Sequence, residues 1–169
     1  YDTLEVSQKP VVELGPLGTF DDSAVLPCWI VNHQGKKYMY YVGWMQGRRV
    51  PYYACVGLAI SSDGGETYQK FSKGPLLDRN DIDPYMTASP CARVEDSGLW
   101  RLWYMSNNSW SEGWAGEDPT LPRYHLRYAE SDDGINWRRE GVVAIDFKSD
   151  DEYAIGRPSV IHEDGIYKM

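Results

Sequence analysis

Apolar and polar residues alternate in short runs along the chain, and these runs are rich in aromatic and β-branched side chains. A period of two residues is typical of half-buried β-strands, and the Gly, Pro, Asp and Asn between the runs favour turns. No long stretch shows the apolar period of an amphipathic helix. The pattern therefore predicts an all-β fold.

The predicted strands form two groups of four and a shorter third group. The first group lies at 25–31, 37–43, 52–61 and 68–77. The second lies at 89–94, 100–106, 124–131 and 137–145, and the third begins with 159–162 and 166–169. Residues 61–68 and 131–137, before each fourth strand, carry Asp and Gly in the spacing of tight turns. Such turns serve the fold, so they are not expected to form a functional site.

The groups repeat one another in sequence as well as in pattern. Pro27 and Cys28 correspond to Pro90 and Cys91, and Pro158 opens a third copy. The interval of roughly 65 residues suits one four-stranded blade of a β-propeller with long loops. We therefore expect about two and a half blades in this chain. The predicted division is blade one at 18–80, blade two at 81–148 and the start of blade three at 149–169.

Residues 9–15 resemble the fourth strands of the two full groups. This similarity predicts that residues 1–17 form the outer closing strand of a last blade. A propeller needs at least about four blades to close its ring. We therefore expect this sequence to need either a C-terminal half that continues it, in a chain roughly twice as long, or a second copy that completes the ring.

Composition narrows the range of partners. The chain has 169 residues, a formal net charge of −8 and 14% aromatic residues. Proteins that bind nucleic acids or anionic membrane surfaces carry an excess of Lys and Arg. This chain carries an excess of Asp and Glu instead, so neither partner is expected. No apolar stretch approaches the roughly 20 residues of a membrane-spanning helix. An acidic, aromatic-rich surface better suits a neutral, polyhydroxylated ligand such as an oligosaccharide or glycan.

The cysteines give no metal or cofactor signature. Cys28 and Cys91 share one repeat position, which favours buried thiols in a reducing compartment and hence a cytoplasmic location. A disulfide between them is disfavoured, and the cysteine spacing matches no zinc site. A structural cation in a central channel is an open alternative that no ligand set in the sequence requires. We expect no cofactor.

One face of the predicted propeller collects the residues suited to a ligand site. The loops that enter the inner strands share this face with the loops that join second and third strands. Aromatic rings stack on sugar rings, while carboxylates and Arg bond to hydroxyl groups. The candidates for substrate binding are Trp44, Arg49, Trp110, Trp114 and Arg157. The candidates for catalysis are Asp22, Asp21, Asp83 and Glu152.

The carboxylates suggest glycosidic bond cleavage. That reaction uses two carboxyl groups across the scissile linkage, one as acid and one as base or nucleophile. Asp21 or Asp22 is expected to supply one of them, and Asp83 and Glu152 are the candidates for the other. No Ser-His-Asp set, phosphate-binding loop or His-rich metal cluster competes with this interpretation.

Several sequence blocks carry a family resemblance. They are Phe-Asp-Asp, Tyr-Met-Tyr-Tyr-Val-Gly-Trp, Tyr-Ala-Glu-Ser-Asp-Asp-Gly-Ile-Asn-Trp and Ile-Tyr-Lys-Met. With these blocks, residues 9–169 resemble the five-bladed β-propeller glycosidase superfamily, which includes glycoside hydrolase families 43 and 32, and most closely a glycosidase-like group within it. The resemblance implies a catalytic Asp at the first inner strand, matching Asp21 or Asp22. It also implies an Asp before Pro in the third blade and a Glu acid in the fourth.

The sequence departs from that pattern at the third blade, where Arg157 stands at the position expected for Asp. An Arg there would bind an anionic sugar or stabilise a carboxylate. Two interpretations therefore stay open. One is a glycosidase-like enzyme, and the other is a noncatalytic glycan-binding or assembly propeller that has lost its catalytic set. The turn at 61–68 resembles the Asp-box of sialidase-type propellers, which makes a six-bladed sialidase-like fold a third alternative.

Overall fold

The computed structural model describes residues 7–110 and 121–169, and every regular element within them is a β-strand. The first four strands are β1 (Ala24–His33), β2 (Lys36–Gln46), β3 (Tyr52–Ser61) and β4 (Gln69–Lys70). The next four are β5 (Thr87–Val94), β6 (Trp100–Trp110), β7 (Pro122–Ser131) and β8 (Val143–Ile145), followed by β9 (Ile161–Glu163) and β10 (Ile166–Lys168). The prediction of an all-β fold is confirmed. These ranges contain no helix that is long and apolar enough to cross a membrane.

The strands form two four-stranded antiparallel sheets and one hairpin. The first sheet has the order β1-β2-β3-β4, the second has the order β5-β6-β7-β8, and β9 pairs with β10. Each strand lies beside its neighbour in sequence, as in a meander. Both innermost strands contain a register shift at the same repeat position, between Pro27 and Trp29 and between Ala88 and Cys91. The repeat in sequence is therefore also a repeat in backbone structure.

The core lies between the two sheets and continues on their outer faces. Along β2, Tyr40 packs in the cluster shared with Trp100 and Tyr104 of the second sheet. Its neighbour Tyr41 points to the opposite face, where it packs with Phe20. Successive side chains of a strand alternate between faces, so a strand that is covered on both sides is apolar almost throughout. This double burial explains the aromatic run in β2.

The outer strands are shorter than the sequence predicts. The fourth strand expected at 68–77 is reduced to β4 and an isolated bridge between Val56 and Leu77. The strand expected at 137–145 is reduced to β8 and a bridge between Glu130 and Arg138. Glycine and proline at 74 and 75 and glycine at 141 interrupt regular pairing in these segments.

Residues 1–6 of the predicted closing strand lie outside the described ranges, and residues 7–17 pack on the free face of the first sheet without forming a strand. Residues 9–15 contain no regular pairing, and Val12 is buried in the cluster that includes Phe20 and Tyr41. A role as the outer strand of a last blade stays a prediction, as do the blade count and the division at 1–17, 18–80, 81–148 and 149–169.

Candidate functional site

The starts of inner strands and the ends of second strands meet at one end of the first sheet. Ala24 in β1 lies opposite Trp44 in β2, and Gln46 lies opposite Tyr52 at the start of β3. The Ser23 amide extends this pairing by donating to the Trp44 carbonyl oxygen at 3.1 Å. This antiparallel register therefore places the loops before β1 and between β2 and β3 together, as the repeat predicts.

Three aromatic side chains form a row at this end of the molecule. The ring centroids of Trp44 and Tyr52 lie 4.6 Å apart, and those of Tyr52 and Trp110 lie 5.4 Å apart. Burial, and to a smaller extent the nearby Tyr124 hydroxyl, raises the pKa of Tyr52. All three side chains are half-buried. The row therefore presents part of its aromatic surface to solvent. We call Trp44, Tyr52 and Trp110 the aromatic row.

The structure thus brings together Trp44 and Trp110, two of the predicted binding residues, through a residue that sequence reasoning missed. Tyr52 directly follows Pro51 at the start of β3, so its place opposite Gln46 was a readable signal of proximity to Trp44. Arg49 is exposed in the connection between β2 and β3. Trp114 lies outside the described residues.

Asp22 lies at the surface where the chain enters β1. Its Oδ2 accepts a hydrogen bond from the Gly18 amide at 2.8 Å, and its Oδ1 accepts one from the Ser23 hydroxyl at 2.7 Å. These two bonds, the Gly18 bond most of all, lower the pKa of the Asp22 carboxyl. The amide of Ser23, the next residue, donates to the Trp44 carbonyl oxygen, so Asp22 adjoins in sequence a residue that contacts the aromatic row.

Asp21 has a different environment although it directly precedes Asp22. Its side chain is buried, and its Oδ2 accepts bonds from the Tyr41 hydroxyl at 3.0 Å and the Lys70 ammonium at 2.5 Å. The Thr19 hydroxyl donates to Oδ1 at 3.0 Å. Burial and the Asp21 charge both raise the pKa of Tyr41, which therefore stays a hydrogen-bond donor. Asp21, Tyr41 and Lys70 form what we call the first aspartate cluster.

Asp83 forms an equivalent cluster in the second sheet. Its side chain has no exposed surface and accepts bonds from Tyr104 at 2.9 Å and Ser106 at 2.6 Å. The guanidinium groups of Arg127 and Arg139 pair with the same carboxylate at 3.1 Å and 3.0 Å. We call this group of five residues the second aspartate cluster.

The two clusters are copies of one arrangement. In each, an Asp from the loop before the inner strand contacts a Tyr in the second strand and a cation near the fourth strand. Both carboxylates therefore tie a loop to the far side of its own sheet. Their hydrogen-bonding capacity is used by the protein itself, and this geometry supports a structural role for Asp21 and Asp83. A catalytic role for either residue stays a prediction.

Glu152 and Arg157 lie in the segment that leads to the third repeat. The Glu152 Oε2 accepts a hydrogen bond from the Lys148 amide at 2.6 Å, which closes a local turn. Arg157 instead lines a cavity of about 240 Å³ between the inner strands. Among the four candidate carboxylates, Asp21 lines a cavity beside Lys70 and Gly15.

The described residues contain no cluster suited to bind a metal ion. Within 7–110 and 121–169, no group of three or more His, Cys, Asp or Glu side chains is arranged to hold a metal ion. The three cysteines are free thiols, with Cys55 and Cys91 buried and Cys28 half-buried.

Comparison with solved structures defines the class of fold. A solved complex of BT0996 with RGII matches 96% of this chain and 46% of its own, with a TM-score of 0.70 and 18% identity. A glycoside hydrolase matches 95% of this chain and 46% of its own, with a TM-score of 0.65 and 16% identity. A structure from the GH130 family of mannoside phosphorylases matches 72% of this chain and 32% of its own, with a TM-score of 0.54 and 19% identity. The protein therefore has a glycoside hydrolase-like β fold.

Sequence comparison identifies particular relatives. Uncharacterized proteins MT1551 and Rv1502, from two strains of Mycobacterium tuberculosis, are each 34% identical to this chain over 166 residues. The match covers 98% of this chain and 53% of either relative, so the chain spans about half the length of the curated relatives it matches. None of the protein-family models matches the chain.

Proposed function

We propose that this chain is part of a carbohydrate-active, glycosidase-like propeller that binds a glycan at the aromatic row. The complete ring has five blades and is related to glycoside hydrolase families 43 and 32. A C-terminal half or a second copy supplies the blades that this sequence does not encode. The observation that carries the proposal is the row of Trp44, Tyr52 and Trp110 beside the entry to β1.

The aromatic row suits a sugar for physical reasons. The CH groups of a sugar ring pack on an aromatic face, and the half-buried rings keep part of that face available. The row is held by sheet pairing rather than by loops alone, since Trp44 and Tyr52 belong to paired strands. A platform fixed in this way loses little conformational entropy when a ligand binds.

For catalysis, Asp22 is the strongest candidate in this chain. Its carboxylate is at the surface, is kept ionised by two hydrogen bonds and contacts no cation within the described residues. It is therefore suited to act as base or nucleophile, whereas Asp21 and Asp83 are neutralised by Lys70 and two arginines. The acid comes from Glu152 or from the blades beyond this chain.

A noncatalytic glycan-binding or assembly propeller is the second candidate function. It is favoured by one observation, which is that Asp21 and Asp83, two of the four candidate carboxylates, are buried and paired with cations of the protein itself. In that case the aromatic row would still bind a glycan, but the unmodified protein would have no hydrolytic activity that substitution of Asp22 could reduce.

Substitution of Asp22 tests the enzymatic proposal. Asp22→Asn in the full-length protein should lower the rate of glycoside hydrolysis, measured on a panel of nitrophenyl glycosides and oligosaccharides, by about 100-fold or more because it removes the charged base. The control is Asp132→Asn, which changes an exposed aspartate paired with Arg138 in a turn. Unchanged hydrolysis in the Asp22 variant would contradict the proposed role. Absence of hydrolysis in the unmodified protein, with glycan binding retained, would favour the second function.

A further inference from the structure

The inner-strand cavity lies where the three repeats converge. Its walls include the repeat-equivalent prolines Pro27, Pro90 and Pro158. The remaining lining residues are Leu26, Cys28, Trp29, Ser89, Arg157 and Ser159. The cavity is therefore built by the innermost backbone of each repeat, and the aspartate clusters do not border it.

The cavity has a charge opposite to that of the whole chain. Arg157 is the one charged residue among those that line it, and no carboxylate is present in the lining, although the chain carries a formal net charge of −8. Within the described residues, the Arg157 guanidinium makes no ion pair or hydrogen bond. An Arg without a carboxylate partner in a concave site is suited to bind an oxyanion, since its planar fork matches carboxylate and phosphate groups.

The backbone at the cavity wall is held in unusual conformations. Ser89 and Arg157 have φ angles of 47° and 53°, in the left-handed region that non-glycine residues rarely occupy. Both residues directly precede a proline, and Ser89 lies inside the register shift of β5. Such conformations are strained for non-glycine residues and concentrate at ligand sites. Their recurrence before the equivalent prolines of the second and third repeats indicates that the fold preserves the shape of this part of the wall.

We propose that the inner-strand cavity binds an oxyanion carried by the sugar ligand, a carboxylate or a phosphate, with Arg157 as its counter-charge. The proposal rests on the proposed function, because it identifies the ligand as an acidic sugar. Its chemistry is the pairing of one guanidinium with one oxyanion, and it involves no covalent step. Ser89 and Ser159 provide hydroxyl groups in the same lining.

Cys28 provides a built-in reporter of this site. It lines the cavity, and burial raises the pKa of its thiol while the positive charge of Arg157 lowers that pKa. A bound oxyanion would counter the Arg157 charge and cover the thiol, so both effects would slow alkylation. Cys55 and Cys91 are almost fully buried, so peptide-level mass spectrometry can separate the Cys28 signal from theirs.

The test measures the alkylation rate of Cys28 by iodoacetamide against pH in the full-length protein. The probes are a panel of uronic acids and sugar phosphates, each with its neutral parent sugar, and inorganic phosphate. We expect at least one acidic sugar to slow alkylation by about tenfold, the effect of one unit of thiol pKa, while its neutral parent does not. Arg157→Gln should raise the thiol pKa of the free protein and abolish this protection. The matched control is Arg138→Gln, an exposed arginine in the bridge to Glu130, which should change neither result.

Each other outcome overturns the proposal in a distinguishable way. Equal protection by acidic and neutral sugars would support a carbohydrate ligand but remove the oxyanion site. Equal protection by inorganic phosphate and a sugar phosphate would assign the anion to a free ligand. Protection that survives Arg157→Gln, or no protection by any anion, would remove the role of Arg157. Since Asp22 does not line this cavity, the hydrolysis test decides the proposed function separately.

Discussion

Two adjacent aspartates in this chain have opposite environments. Asp21 is buried beneath Tyr41 and bonded to Lys70, whereas Asp22 is held at the surface by Gly18 and Ser23. The two residues lie in the turn before β1, where the Asp22 amide donates to the Thr19 carbonyl oxygen at 3.3 Å, and their side chains leave this turn toward different partners. The sequence predicted that Asp21 or Asp22 takes part in catalysis, but it could not indicate which of the two carboxylates is buried. The buried position of Asp21 depends on its ion pair with Lys70, a residue distant in sequence.

The second aspartate cluster should contribute strongly to stability. Asp83→Ala leaves Arg127 and Arg139 without their buried partner, and removing one member of a buried ion pair costs about 3–5 kcal/mol. Urea denaturation of the full-length protein measures this loss. Asp132→Ala removes the exposed partner of Arg138 and should cost less than about 1 kcal/mol. Equal effects of the two substitutions would show that the buried cluster is not a structural anchor.

At the scale of elements, the turns before the fourth strands were predictable in detail. The Asp133 carboxylate accepts bonds from the Ile135 and Asn136 amides, as turn chemistry requires. Burial alone would raise the pKa of Asp133, but these bonds outweigh it and lower the pKa to about 2. The length of the outer strands was predicted less well. Local propensity cannot report how far pairing continues once glycine and proline interrupt an edge strand.

The two repeat-equivalent turns differ in one way that mutagenesis can measure. Gly64 and Gly134 both have left-handed φ angles, 83° and 72°, but a Cβ at Gly134 would lie 2.8 Å from the Trp100 side chain, whereas one at Gly64 would meet no atom within 4 Å. Gly64→Ala should therefore cost about 1–2 kcal/mol for conformation alone. Gly134→Ala should cost about 2–4 kcal/mol because it also crowds the core. Thermal or urea unfolding checks the difference, and equal losses would contradict the packing of Trp100 beneath this turn.

At the scale of the whole molecule, local patterns predicted the sheets and two members of the aromatic row, but not the contacts that join the row. Alternation and turn residues are encoded within a few positions, so the two meanders could be read directly from the sequence. The aromatic row joins Tyr52 in the first sheet to Trp110 in the second, a contact between repeats that no local pattern reports. The inner-strand cavity likewise exists because three repeats converge. The aromatic row and the inner-strand cavity therefore depend on how the repeats pack against one another.

Glycan binding at the aromatic row tests the central claim most directly. A glycan array should identify a carbohydrate ligand for the full-length protein, and its affinity can then be measured by titration calorimetry. Trp110→Ala should weaken binding on the order of tenfold or more because it truncates an aromatic contact surface. Phe71→Ala, which removes an aromatic residue that is 50% exposed after β4, should leave the affinity unchanged. Absence of any carbohydrate ligand, or equal affinity in the Trp110 variant and the unmodified protein, would contradict the account.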